Sequence, residues 1–357
     1  MKRKNYLTVC FMACFLMGMS VWNLAGEKRE YSETERRVLA KFPKITIESV
    51  LSGKFSKEFE EYAVDAFPMR DAWRSVKAYV KTGLFLQKDN NGIYTAEGHL
   101  SKLEYPMNEK MLEHAIEVLT NVKENYLNNN DVYFVIVPDK NRYLAERNGH
   151  LCMNYEMFSE YMTQRMEFAT YIELADLLSL DDYYKTDTHW RQENLLDVAE
   201  RIASTMGVDI TRDYEPIELE IPFNGVYVGQ AALACQPDTI WYLANDALNR
   251  VNVTGAQAIY DMDKAKGKDA YEIFLSGNQP IVTMKNVENS EGKRLIMFRD
   301  SFGSSIAPLL ISGYSEIVLV DLRYISSEML DKYVDFDNAD VLFLYSTIML
   351  NNSLGIK

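Results

Sequence analysis

Three apolar runs punctuate the last quarter of the 357-residue chain: 294–298 (RLIMF), 316–320 (EIVLV) and 341–345 (VLFLY). Each is about as long as a single strand. They lack the polar alternation of a half-exposed sheet, so they read as strands buried on both faces. Helical patterns near 304–312 and 326–334 separate them. A β-α-β-α-β order imposes parallel pairing with right-handed crossovers in a doubly wound sheet. An earlier run at 132–137 (VYFVIV) has the same character. A helix over 111–126 precedes it, and an amphipathic helix over 191–206 follows later. The expected fold is therefore α/β. With 47% hydrophobic residues, the chain can bury one large core and a smaller second unit.

The N-terminus adds a different constraint. Lys2, Arg3 and Lys4 precede an apolar run over 6–25, long enough to cross a bilayer. Basic residues before it and Glu27 and Glu30 after it place the rest outside the cytoplasm. A cleavable signal needs small residues at −3 and −1. Cleavage after Ala25 puts Asn23 at −3, and cleavage after Gly26 puts Leu24 there. Residues 1–26 are accordingly read as a signal anchor in preference to a signal peptide, which leaves the protein extracytoplasmic and membrane-tethered, or secreted if the segment is cleaved. Residues 27–90 follow as a charged, solvated spacer (27–37) and a helical juxtamembrane segment. Phe55, Phe59, Ala63 and Phe67 recur at helical spacing over 53–66, Pro68 stops that helix, and a second covers 71–80. These aromatics read as packing residues. Asn90-Asn91-Gly92 marks the turn into the main domain, 91–357. Within it, 208–290 reads as a strand-rich insertion, with strand-like pieces at 240–243, 250–253 and 281–284.

Composition excludes several function classes. A net charge of −14 is the wrong sign for a nucleic-acid footprint. Charged residues at 25% argue against wholesale disorder. No CxxC or Cys/His spacing suggests zinc, and no metal or cofactor is expected. Of four cysteines, only Cys152 and Cys235 lie outside the apolar run; they permit one disulfide without requiring it.

In a parallel sheet, functional groups gather where strands end and helices begin. Polar residues lie just beyond each run here: Asp139 and Lys140, Asp300 and Ser301, Asp321 and Arg323, Tyr345 and Ser346. Ser301 occupies a strand-to-helix turn with Gly303 two residues on, where backbone N–H groups can stabilise an oxyanion. Serine in that position can equally serve as a plain helix cap. In Asp187-Thr188-His189-Trp190, an extended backbone would turn Asp187 and His189 to one side. The carboxylate could then hold one ring nitrogen and leave the other as a general base. His99 and His150 lie in Gly-flanked turns and His114 in a charged helix, so they read as structural.

The segment 183–190 (YYKTDTHW), taken with 299–303 (RDSFG), resembles the DHHW proteins, relatives of the SGNH-like domains of the alginate O-acetylation proteins. Residues 33–37, 53–59, 66–70 (AFPMR) and 91–94 (NGIY) resemble the N-terminal part of that family. The resemblance runs from about Ser32 to Leu344 and is weakest over 208–290. It implies an SGNH-hydrolase-like three-layer sandwich with a mostly parallel sheet and the Asp-x-His element placed before the serine. It implies Ser301 as nucleophile, His189 as base and Asp187 as its orienter. Gly303, Arg323, Tyr345 and Lys140 become candidate oxyanion or substrate contacts. The implied activity is O-acyl transfer, most simply O-acetylation of a cell-envelope or secreted polysaccharide, with a membrane-bound O-acyltransferase as partner. A carbohydrate esterase using the same triad, or a non-catalytic polysaccharide-binding or envelope-assembly protein, are the alternatives. Two departures stand out: Thr188 replaces the second histidine of the family motif, and Arg299 stands where hydrolase relatives often carry glycine.

Overall fold

The computed structural model describes residues 2–25 and 29–357. Gly26 and Glu27, where the apolar segment is expected to end and the spacer to begin, lie outside the described residues. The chain forms two compact units, 1–91 with 228–234, and 92–227 with 235–357.

In the first unit, helix α1 (Lys2–Ala25) contains a stretch, Lys4–Asn23, long and apolar enough to cross a membrane. Helices α2 (Lys54–Asp65) and α3 (Arg70–Tyr79) cover the two stretches where helices were expected. Phe55 and Phe59 stack on each other, and Phe42 and Tyr62 meet edge to face at 5.3 Å. The expected solvated spacer is in fact partly structured. Tyr31–Ser32 pairs with Arg37–Val38, and Arg37 and Arg70 converge on the buried carboxylate of Asp65. Glu35 receives Arg70 and, at 3.1 Å, Arg74. The charges there pair with one another rather than with water. Residues 228–234 join this unit through the Gly229 carbonyl, which accepts from Arg74, and the Ala231 carbonyl, which accepts from Asn90.

The second unit is a three-layer α/β sandwich around a seven-stranded sheet. Its strands are β1 (Val132–Val137), β2 (Thr170–Ile172), β3 (Val251–Thr254), β4 (Ile281–Asn286), β5 (Arg294–Arg299), β6 (Glu316–Val320) and β7 (Ala339–Ser346). Their order is β2-β1-β7-β5-β6-β4-β3; the neighbours from β2 across to β6 pair in parallel, and the last two pairings, β6 with β4 and β4 with β3, are antiparallel. Both faces are covered, as the apolar runs demanded. Leu295, Met297, Leu342 and Leu344 pack on one side with α6 (Leu196–Thr205) and α7 (Gly303–Leu310). Ile296, Phe298, Val341 and Phe343 pack on the other with α4 (Glu109–Tyr126) and α5 (Tyr155–Arg165).

Three expectations are corrected. The segment 208–290 divides: 251–254 and 281–286 extend the central sheet, while Glu215–Phe223 and Asp238–Ala244 form a separate antiparallel hairpin. The helix expected over 191–206 is interrupted, with a short 3₁₀ turn at Gln192–Asn194 before α6. The buried Gln192 side chain explains the break, because it donates to the Ser305 carbonyl at 2.7 Å and accepts from the Leu243 N–H at 2.8 Å. The stretch expected as a helix over 326–334 is a 3₁₀ segment, Ser327–Lys332, capped by Ser326. Cys152 and Cys235 are free thiols.

Candidate active site

Strand β5 ends at Arg299, in register with Leu344 of β7, and the chain turns at once into α7. Asp300, buried between them, holds the turn: one carboxylate oxygen accepts the Phe302 N–H at 3.0 Å and the other the Ser346 N–H at 2.8 Å. Ser301 lies between these anchors, partly exposed at the sheet edge. Gly303 serves sterics. A β-carbon there would fall 2.6 Å from the Arg299 Cβ, and the Gly303 N–H already donates to the Asp300 carbonyl at 3.2 Å. Gly303 is thus the residue that the close packing against Arg299 allows at the start of α7.

Facing the turn, the chain from Tyr183 to Trp190 closes on itself. Those two residues bridge in antiparallel fashion, and the Tyr184 N–H donates to the His189 carbonyl at 3.1 Å. Asp187 and His189 therefore sit in a bent loop, not in the extended segment expected from the sequence. One Asp187 oxygen accepts both the His189 backbone N–H, at 3.1 Å, and its ring Nδ1–H, at 2.6 Å. The other accepts the Val226 N–H at 2.8 Å. Gly225 permits that approach, since a β-carbon there would lie 2.4 Å from the Asp187 Cβ. His189 Nε2 lies 2.7 Å from Ser301 Oγ. The structure thus brings the three residues into one hydrogen-bonded line, with Asp187 and His189 buried and the serine open at the end.

The imidazole is clamped as well as bonded. The Tyr271 ring stacks on it at 3.8 Å and 9°, and Phe302 meets it at 5.1 Å. The Tyr271 hydroxyl donates to Ser305 Oγ at 2.8 Å, as does the Trp190 indole N–H. Burial pushes the Tyr271 phenol upward, so it remains a neutral donor. Ser305, on the first turns of α7, thereby ties the histidine loop to the helix that follows Ser301. Asp238 secures the approach to Asp187 by accepting the Lys185 and Thr186 N–H groups at 2.8 and 2.7 Å, together with the Thr186 hydroxyl. Tyr271, Ser305, Asp238 and Gln192 carried no motif, and their partners lie far away in sequence.

The remaining candidates are engaged inside the fold. Arg323 donates from Nε to the buried Asp321 carboxylate at 2.8 Å. The same carboxylate lies 3.6 Å from Arg299, whose pKa burial lowers. The Tyr345 hydroxyl is buried and has no hydrogen-bond partner among the described residues. Lys140 is buried, with Nζ 2.5 Å from the Leu100 carbonyl and 2.8 Å from the Tyr184 carbonyl. Among the described residues, no group of three or more His, Cys, Asp or Glu side chains is placed to hold a metal ion.

No protein-family model matches the chain, and no curated protein matches it by sequence. Solved structures do. A DHHW family protein from Eubacterium siraeum is similar with a TM-score of 0.61 and 21% identity, covering 75% of this chain and 95% of its own. Bacillus cereus PatB1, in a structure with a sulfonyl adduct, is similar with a TM-score of 0.58 and 20% identity, covering 72% and 95%. The O-acetyltransferase domain of Pseudomonas putida AlgJ gives 0.44 and 12%, covering 73% and 92%, a likeness too distant to argue from. The expected three-layer sandwich with a mostly parallel sheet is present, and the chain shares the fold of that DHHW family protein.

Proposed function

We propose that this chain is a serine-dependent O-acyltransferase, most simply an O-acetyltransferase, acting on hydroxyl groups of a cell-envelope or secreted polysaccharide. The observation that carries the reading is the relay of 2.7 Å from Ser301 Oγ to His189 Nε2 and 2.6 Å from His189 Nδ1 to Asp187. Ser301 Oγ attacks the acyl carbonyl while His189 Nε2 takes its proton. The tetrahedral adduct collapses, the leaving oxygen departs with that proton, and an ester on Ser301 remains. A sugar hydroxyl then attacks the ester, giving its proton to His189, which returns it to Ser301 Oγ. Asp187 fixes the tautomer and balances the imidazolium formed in each half-reaction. The start of α7 favours the negative charge that develops on the acyl oxygen beside Ser301.

The sulfonyl adduct of PatB1 supports this reading, since sulfonyl reagents trap activated nucleophiles and PatB1 shares this fold. The polysaccharide acceptor and a membrane-bound O-acyltransferase partner come from the family resemblance. Helix α1 would hold the protein at the outer face of the membrane, near an acyl donor delivered there. The test is covalent labelling of the full chain with a fluorophosphonate, located by peptide mass spectrometry, alongside aryl-acetate cleavage and acetyl transfer to an oligosaccharide. Labelling on Ser301, with both activities lost in Ser301→Ala, is expected. Unchanged activity in that variant would defeat the proposal, and cleavage with no transfer to any sugar would make the protein an esterase.

A further inference from the structure

Lys140 was expected to face substrate; instead it faces the backbone of the histidine loop. Its Nζ reaches three carbonyl oxygens: Leu100 at 2.5 Å, Tyr184 at 2.8 Å and Lys185 at 3.3 Å. An ammonium has three N–H donors, whereas a neutral amine has two and a lone pair. The acceptors therefore match the charged form one for one. Two of them belong to the residues leading directly into Thr186-Asp187. The third lies in the hairpin strand His99–Lys102, where the Leu100 N–H also donates to the Lys185 carbonyl at 2.8 Å. The Tyr227 ring lies beneath the ammonium at 5.1 Å, and the Tyr227 N–H donates to the Thr186 carbonyl at 3.2 Å.

We propose that Lys140 is a positioning residue whose ammonium holds the backbone at 184–186 so that Asp187 is aimed at His189, and that loss of its charge slackens the relay. The proposal rests on reading Ser301, His189 and Asp187 as the reacting groups. The charges around Lys140 are mixed. Asp187, Asp238, Asp139 and Cys235 favour the ammonium. The neighbouring bases are Lys185 and His99; burial, then Lys140 and Lys185, push His99 down to about 4, so it is uncharged at neutral pH. Burial outweighs the carboxylates and pushes Lys140 down to about 7. The sign follows. Below that pH the clamp has its three donors; above it, one carbonyl faces a lone pair.

The test measures the rate at which a fluorophosphonate labels Ser301 in the full chain, from mildly acidic to mildly alkaline pH. The parent should lose rate on the alkaline side with a midpoint near 7. Lys140→Met should label about tenfold or more slowly at acidic pH and lack that alkaline limb, because a small misplacement of a catalytic group costs one to two orders of magnitude. Lys140→Met takes the lysine donor from the Leu100 and Tyr184 carbonyls, leaving the Lys185 carbonyl its bond from the Leu100 N–H, and can fail to fold, so a second measurement uses the parent lysine. The far-downfield proton resonance of His189 Nδ1–H should weaken as pH rises through the same midpoint. A resonance that persists unchanged into alkaline pH, or a folded Lys140→Met with parental labelling rates across the range, overturns the proposal. Ser301→Ala is the control: a chain that still takes up the fluorophosphonate at the parental rate in that variant would sink the triad reading itself, whatever Lys140 does.

Discussion

Ser301 and His189 lie 2.7 Å apart but are held there by different kinds of structure. The serine turn leaves β5 in mid-sheet, with β7 and β6 paired on either side, so ladder hydrogen bonds fix its backbone and Asp300 adds two more contacts. The histidine loop has no ladder beyond the bridge from Tyr183 to Trp190. Its shape depends on three charged side chains, Lys140, Asp187 and Asp238, whose hydrogen bonds go largely to backbone groups. A ladder distributes its stabilisation over many bonds of about 1 kcal/mol each, while a buried charged network fails steeply when one member is lost. The turn should therefore tolerate single polar changes that the loop does not.

The largest effect expected within the loop is that of Asp187→Asn. The amide keeps one acceptor oxygen where the carboxylate has two, so its NH₂ must face either the Val226 N–H or the ring Nδ1–H, each of which needs an acceptor. Turnover of an aryl acetate should fall by about 10⁴-fold, as for tautomer loss in other triads, with a much smaller change in thermal midpoint. An activity within about tenfold of the parent would mean that the loop does not need its own carboxylate. Asp238→Asn comes next. It removes charge from a carboxylate that accepts two N–H groups and a hydroxyl just before Asp187. An activity loss of about 10- to 100-fold is expected, with about 1–3 kcal/mol of stability lost in urea titration.

Asp300→Asn sharpens the contrast from the other side. Here too two N–H donors lose one acceptor, at a similar cost of about 1–3 kcal/mol. The β5 and β7 ladders persist, so the activity loss should stay below that of Asp238→Asn. A reversed order would show that the turn, not the loop, is the fragile half.

The sequence made the two halves unequally readable for the same reason. The runs at 132–137, 294–298, 316–320 and 341–345 are apolar because both faces are covered, and that pattern needs no partner to be recognised. Strand β2 is three residues long, too short to carry a pattern, and β3 and β4 gave no sign that they would join the same sheet. The turn at Ser301 followed from the strand before it. The loop did not, because its conformation is set by partners distant in sequence: Thr186 with Asp238, Asp187 with Val226, and Trp190 with Ser305. Local spacing implied an extended Asp-x-His, while tertiary hydrogen bonds bend it. Arg323, Gly303 and Lys140 lie near the sheet edge as expected, but their polar groups are bonded inward, and Tyr345 is buried there with them.

Tyr271→Phe is the mildest test and isolates the last link between the halves. The ring that stacks on His189 is retained, and only the hydroxyl bond to Ser305 is removed. Ser305 Oγ keeps the Trp190 indole donor, so no buried donor is orphaned on the helix side. The expected cost is about 0.5–1.5 kcal/mol of stability, the net worth of one hydrogen bond. Activity should change by no more than about threefold, because the stacked ring alone limits rotation of the imidazole. Tyr271→Ala separates the two contributions, since it also removes the ring and opens a cavity beside His189. If Tyr271→Phe proved as damaging to turnover as Tyr271→Ala, the loop would be held to α7 by that hydroxyl rather than by packing, and the turn and loop would have to be treated as one hydrogen-bonded body.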